Sequence, residues 1–130
     1  MGKFSRVKIA GRWVEAPRWA LDLPFEVRPS REFRTIAWAL WKPTLMLLAR
    51  AAKAQRQRLE WVRIHDHVGT RREPQHPFGW VITKTGEMFL CSYDKGTALH
   101  ELAHLISGDS HGDAWAQRCF KLHRRYLPAR

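Results

Sequence analysis

One run of five residues, His100-Glu-Leu-Ala-His104, constrains the fold of this chain more than any other segment. Residues four apart lie on the same face of a helix, so both imidazoles can reach one metal ion if the run is helical. Zinc takes imidazole nitrogen at about 2.0–2.1 Å and favours four tetrahedral ligands. Glu101 would then lie beside the ion, where its carboxylate can accept a proton from water activated by the zinc. We therefore predict a metal-binding helix over residues 98–106, with Glu101 as the catalytic base.

The residues around this helix mark its ends and supply a third candidate ligand. Thr97 can cap the start of the helix, and Gly108 suits the left-handed position after its end. A catalytic zinc site needs three protein ligands and an open fourth position. A continuous helix would displace His111 by about 10 Å along the axis, whereas a turn at glycine brings it back beside His104. We therefore predict His100, His104 and His111 as the metal ligands, with weaker competition from His65, His67, His76 and His123.

The remaining pattern predicts two more helices and a small sheet. Apolar residues recur at helical spacing over residues 44–59, and a last helix from about residue 113 places one stripe at Trp115, Cys119, Leu122 and Tyr126. Short strands are predicted at 61–65, 80–83 and 88–91, with a turn at 84–87 and a loop at 66–79. This order predicts an α+β fold in which helices pack on a small, mainly antiparallel sheet.

The length of the chain, 130 residues, leaves room for one domain with one modest core. Residues 1–34 contain three prolines and scattered aromatic residues. That composition predicts an N-terminal arm that packs on the body through its aromatic rings and contains a short strand at 8–14. We therefore expect a single domain over residues 1–130, with residues 1–34 as its arm.

The charge balance predicts an anionic partner. Twenty-three Lys and Arg residues against twelve Asp and Glu residues give a formal net charge of +11 and a pI near 10.7. Basic residues fall on the outer faces of the helices predicted over 44–59 and 113–130. Such faces favour non-specific contact with DNA or RNA, although the same charge also keeps a surface soluble.

Three observations bear on the compartment. The two cysteines, Cys91 and Cys119, are too few for a disulfide scaffold, and no apolar stretch typical of a signal peptide follows the basic N-terminus. The apolar segment 36–49 is shorter than a membrane span and is interrupted by Lys42-Pro43. We therefore expect this segment to be buried core, with no membrane partner, and the chain to be cytoplasmic.

The run Thr97-Ala-Leu-His-Glu-Leu-Ala-His-Leu-Ile, with His111-Gly112 and an aromatic residue at Trp115 after it, resembles the minimal zincins of the SprT-like and WLM/Spartan kind. The resemblance covers about residues 88–126. It implies a core made of a helix, a short sheet and the metal helix. It also implies a zinc metalloprotease in which His100, His104 and His111 bind zinc and Glu101 is the base. Spartan-type members cleave proteins crosslinked to DNA, which would suit a basic chain.

Two departures from related motifs leave other classes open. The gap from His104 to His111 is shorter than in many SprT-like sequences, and it is one residue longer than in the metzincin motif, whose glycine position holds Ser107. YbeY-type endoribonucleases have a comparable three-histidine run, but their usual residue after the first histidine is glycine, not the glutamate found at Glu101. A third class is a non-catalytic, zinc-stabilised nucleic-acid-binding module, which normally closes its site with four protein ligands.

Two expectations concern how a substrate is held. Tyr93, His123 and Tyr126 are the candidates to stabilise negative charge as it develops on a substrate oxygen. In zincins the strand before the metal helix pairs with an extended substrate by adding a strand to the sheet edge. Here the edge strand is predicted to be either 80–83 or 88–91.

Overall fold

The computed structural model describes residues 4–65, 79–108 and 111–127. The strands are β1 (Phe4–Ile9), β2 (Arg12–Pro17), β3 (Glu26–Pro29), β4 (Trp61–Ile64), β5 (Gly79–Ile82) and β6 (Glu87–Leu90). The helices are α1 (Arg18–Leu21), α2 (Trp38–Ala54), α3 (Lys95–Ser107) and α4 (Asp113–Tyr126), and a 3₁₀ turn at Thr35–Ala37 precedes α2. Apart from Gly79, the loop predicted at 66–79 lies outside the described residues, as do His67 and His76.

Four strands form the sheet that positions the site, in the order β3-β4-β6-β5, and β1 and β2 form a separate hairpin. Side chains alternate between the two faces of a strand, so one face carries Val27, Val62 and Met88, with Ile64 and Leu90 in the next row. These five side chains are at most 4% exposed and belong to the same apolar cluster as residues of α2 and α3. The helices therefore cover this face, and α3 lies against β5 and β6.

The predicted α+β class is confirmed, but the strand directions differ from the expected mainly antiparallel sheet. β3 pairs parallel with β4, and β4 pairs parallel with β6; within the four-stranded sheet only β5 and β6 pair antiparallel. The parallel pair β3–β4 is possible because α2 forms the long crossover that such a pair requires. Alternation along a strand reports which face is buried and carries no information about the direction of its neighbour.

The strand predicted at 8–14 is wrong, because the chain reverses in the middle of it. β1 and β2 pair antiparallel, and the turn between them lies at Ala10 and Gly11, whose φ angles are +50° and +84°. Positive φ at both positions is typical of the type I′ turn that joins many hairpins, and glycine adopts it at little cost. After this hairpin, β3 joins the main sheet as an edge strand. The domain boundaries themselves stay a prediction.

Helix α2 differs at both ends from the helix predicted over 44–59. It begins at Trp38, contains Pro43 within its length and ends at Ala54. A proline removes one backbone hydrogen bond, and here tertiary packing outweighs that loss, since Trp41, Leu45 and Leu48 are fully buried. The buried Thr44 donates a hydrogen bond from its hydroxyl to the carbonyl of Tyr93. This bond ties α2 to the segment that leads into α3.

None of the described helices combines the length and the apolar composition that a bilayer crossing needs. The prediction that segment 36–49 is buried core holds for one face only: Trp38, Trp41 and Leu45 lie in the core, whereas Ile36, Leu40 and Met46 are exposed. The predicted cytoplasmic location stays a prediction.

Candidate metal centre

Helix α3 carries the H-E-x-x-H run, and its two ends are fixed by local contacts. It begins at Lys95, two residues before the predicted cap. The capping residue is Asp94, whose Oδ2 accepts the backbone N–H of Thr97 at 2.9 Å. Thr97 is therefore wrong as the cap, because a carboxylate three residues earlier takes that hydrogen bond. The predicted end is confirmed: Gly108 has a φ of +67° and its N–H donates to the carbonyl of His104 at 2.9 Å.

The structure brings the Nε2 atoms of His100, His104 and His111 together. The Nε2 of His111 lies 3.3 Å from that of His100 and 3.2 Å from that of His104, and all three ligand atoms lie within 4.8 Å of one another. Nitrogens at about 2.0–2.1 Å from a tetrahedral ion are separated by roughly 3.3–3.4 Å. The observed spacings match the edges of such a coordination shell, so the cluster could hold a metal ion.

The backbone at His111 turns its ring back towards α3. Its φ is +69°, in the left-handed region that residues other than glycine rarely adopt. A residue held there costs on the order of 1–3 kcal/mol, and such conformations cluster at functional sites. The strained backbone is what allows a residue beyond the end of α3 to contact two side chains on that helix.

Trp115, on the first turn of α4, packs against all three imidazoles. Its ring centroid lies 4.9 Å from that of His100, 5.3 Å from that of His104 and 4.7 Å from that of His111. The indole N–H donates to the carbonyl of His100 at 3.3 Å. Trp115 thereby restricts the orientation of each ring, as residues behind metal ligands commonly do.

Glu101 lies beside the three imidazoles and is only 6% exposed. Its Oε2 is 4.0 Å from the Nε2 of His100. Burial raises the pKa of Glu101 to about 7 in the metal-free protein. A general base is most effective when its pKa lies near the working pH, and a nearby cation favours the ionised carboxylate. Burial therefore brings the pKa of this carboxyl close to neutral at a position beside the three histidines.

The pKa of His100 is lowered, first by burial and then by the charges of His104, His111 and His123. The neutral imidazole is the form that donates a lone pair to a metal. Burial and the neighbouring imidazoles therefore favour the form of His100 that binds an ion.

A cavity of about 880 Å³ opens in front of this cluster. On one side it is lined by β5, through Gly79, Trp80 and Val81, and on the other by Cys119 and His123 of α4. Among the described strands β5 is at the sheet edge, which decides between the two strands left open by the sequence.

The competing histidines fall outside the cluster or outside the described residues. The His65 ring stacks on Phe89 with centroids 5.6 Å apart, and its Nδ1 lies 3.3 Å from the hydroxyl of Ser30. His123 lines the cavity, but its nitrogens are not part of the three-atom cluster.

Of the three residues considered for oxyanion stabilisation, His123 lines this cavity, whereas Tyr93 and Tyr126 do not.

Two residues that shape the site were missed in the sequence. Besides the cap Asp94, Gly79 of β5 lets the strand approach Glu101, because a Cβ at that position would lie 3.1 Å from the Cγ of Glu101 and 3.0 Å from the carbonyl oxygen of Phe89. A glycine inside a strand often marks such a close approach, so its place at the start of strand 80–83 was the available signal.

Comparison with known proteins supports the fold and leaves the family open. No protein-family model matches this chain, and no curated protein matches it. The solved structure of Wss1 from Saccharomyces cerevisiae superposes on 79% of this chain and 88% of its own, with a TM-score of 0.61 and 18% sequence identity. At that identity the shared property is the fold. The chain therefore has a Wss1-like fold of the α+β class, and the expected resemblance to WLM-type proteins is supported as a distant one, at the level of the fold alone.

Proposed function

We propose that this protein is a zinc-dependent metallopeptidase that hydrolyses peptide bonds in extended polypeptide segments. The observation that carries this proposal is the set of three Nε2 atoms at coordination spacing beside the buried Glu101. Among the described residues no fourth protein donor joins the cluster. A structural zinc site is normally closed by four protein ligands, whereas three ligands leave a position open for catalysis.

In the proposed reaction, the three histidines would hold the metal and Glu101 would transfer the proton. Zinc bound by the three histidines would lower the pKa of water and polarise the scissile carbonyl. In the attack a C–O bond forms, the π electrons of the carbonyl move to its oxygen, and Glu101 accepts the proton from the attacking water. In the collapse the C–N bond breaks, and Glu101 passes that proton to the leaving nitrogen. One carboxyl group thus serves as base and then as acid.

The position of β5 supports a peptide as the substrate class. An edge strand offers backbone donors and acceptors that an extended chain can pair with. β5 lines the cavity and contacts α3, the helix that carries His100 and His104. Such pairing would align the substrate backbone with Glu101 independently of its side chains.

The proposal is tested by incubating the zinc-loaded protein with an unfolded generic protein and, separately, with RNA. We expect cleavage of the protein, loss of that cleavage when a chelator removes zinc, and recovery on adding zinc back. Cleavage of RNA alone would instead support the nuclease class, and zinc binding with neither cleavage would support the non-catalytic module. Either of these results contradicts the peptidase proposal.

We further propose that DNA or RNA is a non-specific partner that binds the basic outer faces of α2 and α4. Lys121, Arg124 and Arg125 on α4 are exposed, as are Arg50 and Lys53 on α2. Arg118 joins the two helices, since its guanidinium donates to the side-chain oxygen of Gln55 at 3.0 Å. The two faces therefore form adjoining basic surfaces.

Binding through these faces should weaken steeply with salt, because each phosphate bound by a basic side chain releases counterions. Replacing Arg118, Lys121, Arg124 and Arg125 with Gln should flatten the slope of log affinity against log salt by roughly one unit for each phosphate no longer neutralised. Fluorescence anisotropy on two unrelated oligonucleotides would measure both the slope and the lack of sequence preference. The control replaces four exposed basic residues elsewhere, Arg6, Arg18, Arg31 and Lys84, and so removes the same charge. Equal weakening in both variants would show that net charge alone is responsible.

A further inference from the structure

The ring of His123 is held in one orientation by its own helix. Its Nδ1 lies 2.9 Å from the carbonyl oxygen of Cys119, one turn earlier in α4. A carbonyl oxygen can only accept a hydrogen bond, so Nδ1 carries the hydrogen and donates it. The Cys119 sulfur lies farther away, at 3.5 Å, and competes weakly for the same nitrogen. With Nδ1 engaged, Nε2 is the nitrogen left to act in the cavity.

A glycine lies beside that nitrogen. A Cβ built on Gly96, in the first turn of α3, would lie 3.5 Å from the Nε2 of His123 and 3.1 Å from the Oδ2 of Asp94. Gly96, His123 and the three candidate ligands line the same cavity.

We infer that His123, with both ring nitrogens protonated, is a catalytic residue whose Nε2–H donates a hydrogen bond to the scissile carbonyl oxygen as that oxygen becomes negative. This inference rests on the proposed peptidase function. Glu101 and His123 reach the cavity from different helices, α3 and α4. The first accepts the proton of the attacking water, and the second supplies a donor at the carbonyl oxygen. When the ring carries a second proton, both nitrogens are donors, one to Cys119 and one to substrate.

The kinetic test compares His123→Leu with His123→Gln. Leucine fills a similar volume without a donor, whereas the glutamine amide can still donate. Loss of one oxyanion donor typically lowers kcat by about 10²–10³-fold, so we expect that loss for His123→Leu, with little change in KM and partial recovery in His123→Gln. Tyr93→Phe and Tyr126→Phe are the controls, because they remove only hydroxyl groups that do not line the cavity. Unchanged kcat in His123→Leu, or a large loss in either tyrosine variant, would overturn the inference.

A binding measurement without turnover separates charge stabilisation from ground-state binding. A phosphinic peptide presents tetrahedral, negatively charged oxygen, and transition-state analogues bind more tightly than substrates for that reason. His123→Leu should weaken the phosphinic peptide by about 10²-fold or more, in line with the expected loss in kcat. In the Glu101→Gln background the same change should leave the affinity of the uncleaved substrate peptide unaltered. Equal weakening of both ligands would assign His123 to substrate binding and contradict the inference.

A second variant guards against misfolding of His123→Leu. Gly96→Ala leaves the imidazole in place and puts a methyl group in front of its Nε2. We expect kcat to fall while zinc content and near-ultraviolet circular dichroism stay as in the parent protein. If His123→Leu misfolds, retained kcat in Gly96→Ala contradicts the role. If the parent protein cleaves no peptide, the peptidase proposal itself fails. Cleavage that is indifferent to His123 contradicts only this inference.

Discussion

The Glu101→Gln variant is expected to retain metal and fold while losing peptide hydrolysis by about 10²–10⁴-fold or more, the range typical of a general base. Glutamine matches the size of glutamate in a site that is 6% exposed, so the close packing against Gly79 survives. Its amide nitrogen cannot accept the proton of the attacking water. Initial rates on a fluorogenic peptide, with zinc content by mass spectrometry, measure the two effects. Glu15→Gln, an exposed site on the N-terminal hairpin, is the matched control.

The metal-free protein gives an independent check on Glu101. Because burial raises the pKa of this carboxyl to about 7, the folded state holds its proton more tightly than the unfolded state does. The contribution of this carboxyl to stability is therefore full below its ordinary pKa of about 4.5, and it is lost as the pH rises through about 7. Glutamine does not ionise. The free energy of unfolding of metal-free Glu101→Gln should therefore rise relative to that of the metal-free parent protein between pH 5 and pH 8. Parallel pH curves for the two proteins, measured by urea denaturation, would show that Glu101 is not buried as described.

An unchanged hydrolysis rate in Glu101→Gln would place the chemistry on another group or leave the protein with a binding role only. A loss of metal together with activity would be a different result, since it would mean that the carboxylate holds the ion. The Oε2 of Glu101 lies 4.0 Å from the Nε2 of His100, and Glu101 is not part of the group of clustered ligand atoms. That separation favours the role of base over that of ligand.

Local patterns predicted the centre of the site, because the contacts that make it are local. The run from His100 to His104 needs only helical spacing, and Gly108 ends the helix through its own backbone preference. Asp94 was missed as the cap because Asp94 and Thr97 are both good capping residues, and the hydrogen-bond geometry decides between them. The helical stripe over Trp115, Cys119 and Leu122 could likewise be predicted from its spacing, and all three residues pack on or within the core.

What the sequence left open depends on contacts between distant segments. The parallel pairing of β4 with both neighbours follows from the crossover through α2 and from the path between β4 and β6, and no strand carries that information alone. The turn at Ala10-Gly11 was overlooked because the residues on either side favour strands. The choice of His123 over Tyr93 required knowing which side chains share a cavity with the ligands.

Replacing a ligand should remove the metal and, with it, part of the stability of the fold. The protein is expected to bind about one zinc per chain, and His100→Ala and His104→Ala should lose it. Zinc at a thousand times its Kd stabilises a folded protein by about 4 kcal/mol, so the rise in Tm on adding zinc should disappear in both variants. His65→Ala is the control, because its ring stacks on Phe89 outside the cluster. Full zinc occupancy in both ligand variants would overturn the site assignment.

His111→Gly separates the loss of a metal ligand from a change in the stability of the fold. At this position zinc binding should be lost, whereas the stability of the metal-free protein should rise. The variant should lose zinc as the others do. Its φ of +69° is strained for histidine, whereas glycine adopts such angles readily. The metal-free variant should therefore be more stable than the metal-free parent by about 1 kcal/mol, the lower end of the cost of such strain. Urea denaturation in the presence of chelator measures this difference. A destabilised His111→Gly would mean that contacts of the His111 ring, rather than a metal, hold this backbone in place.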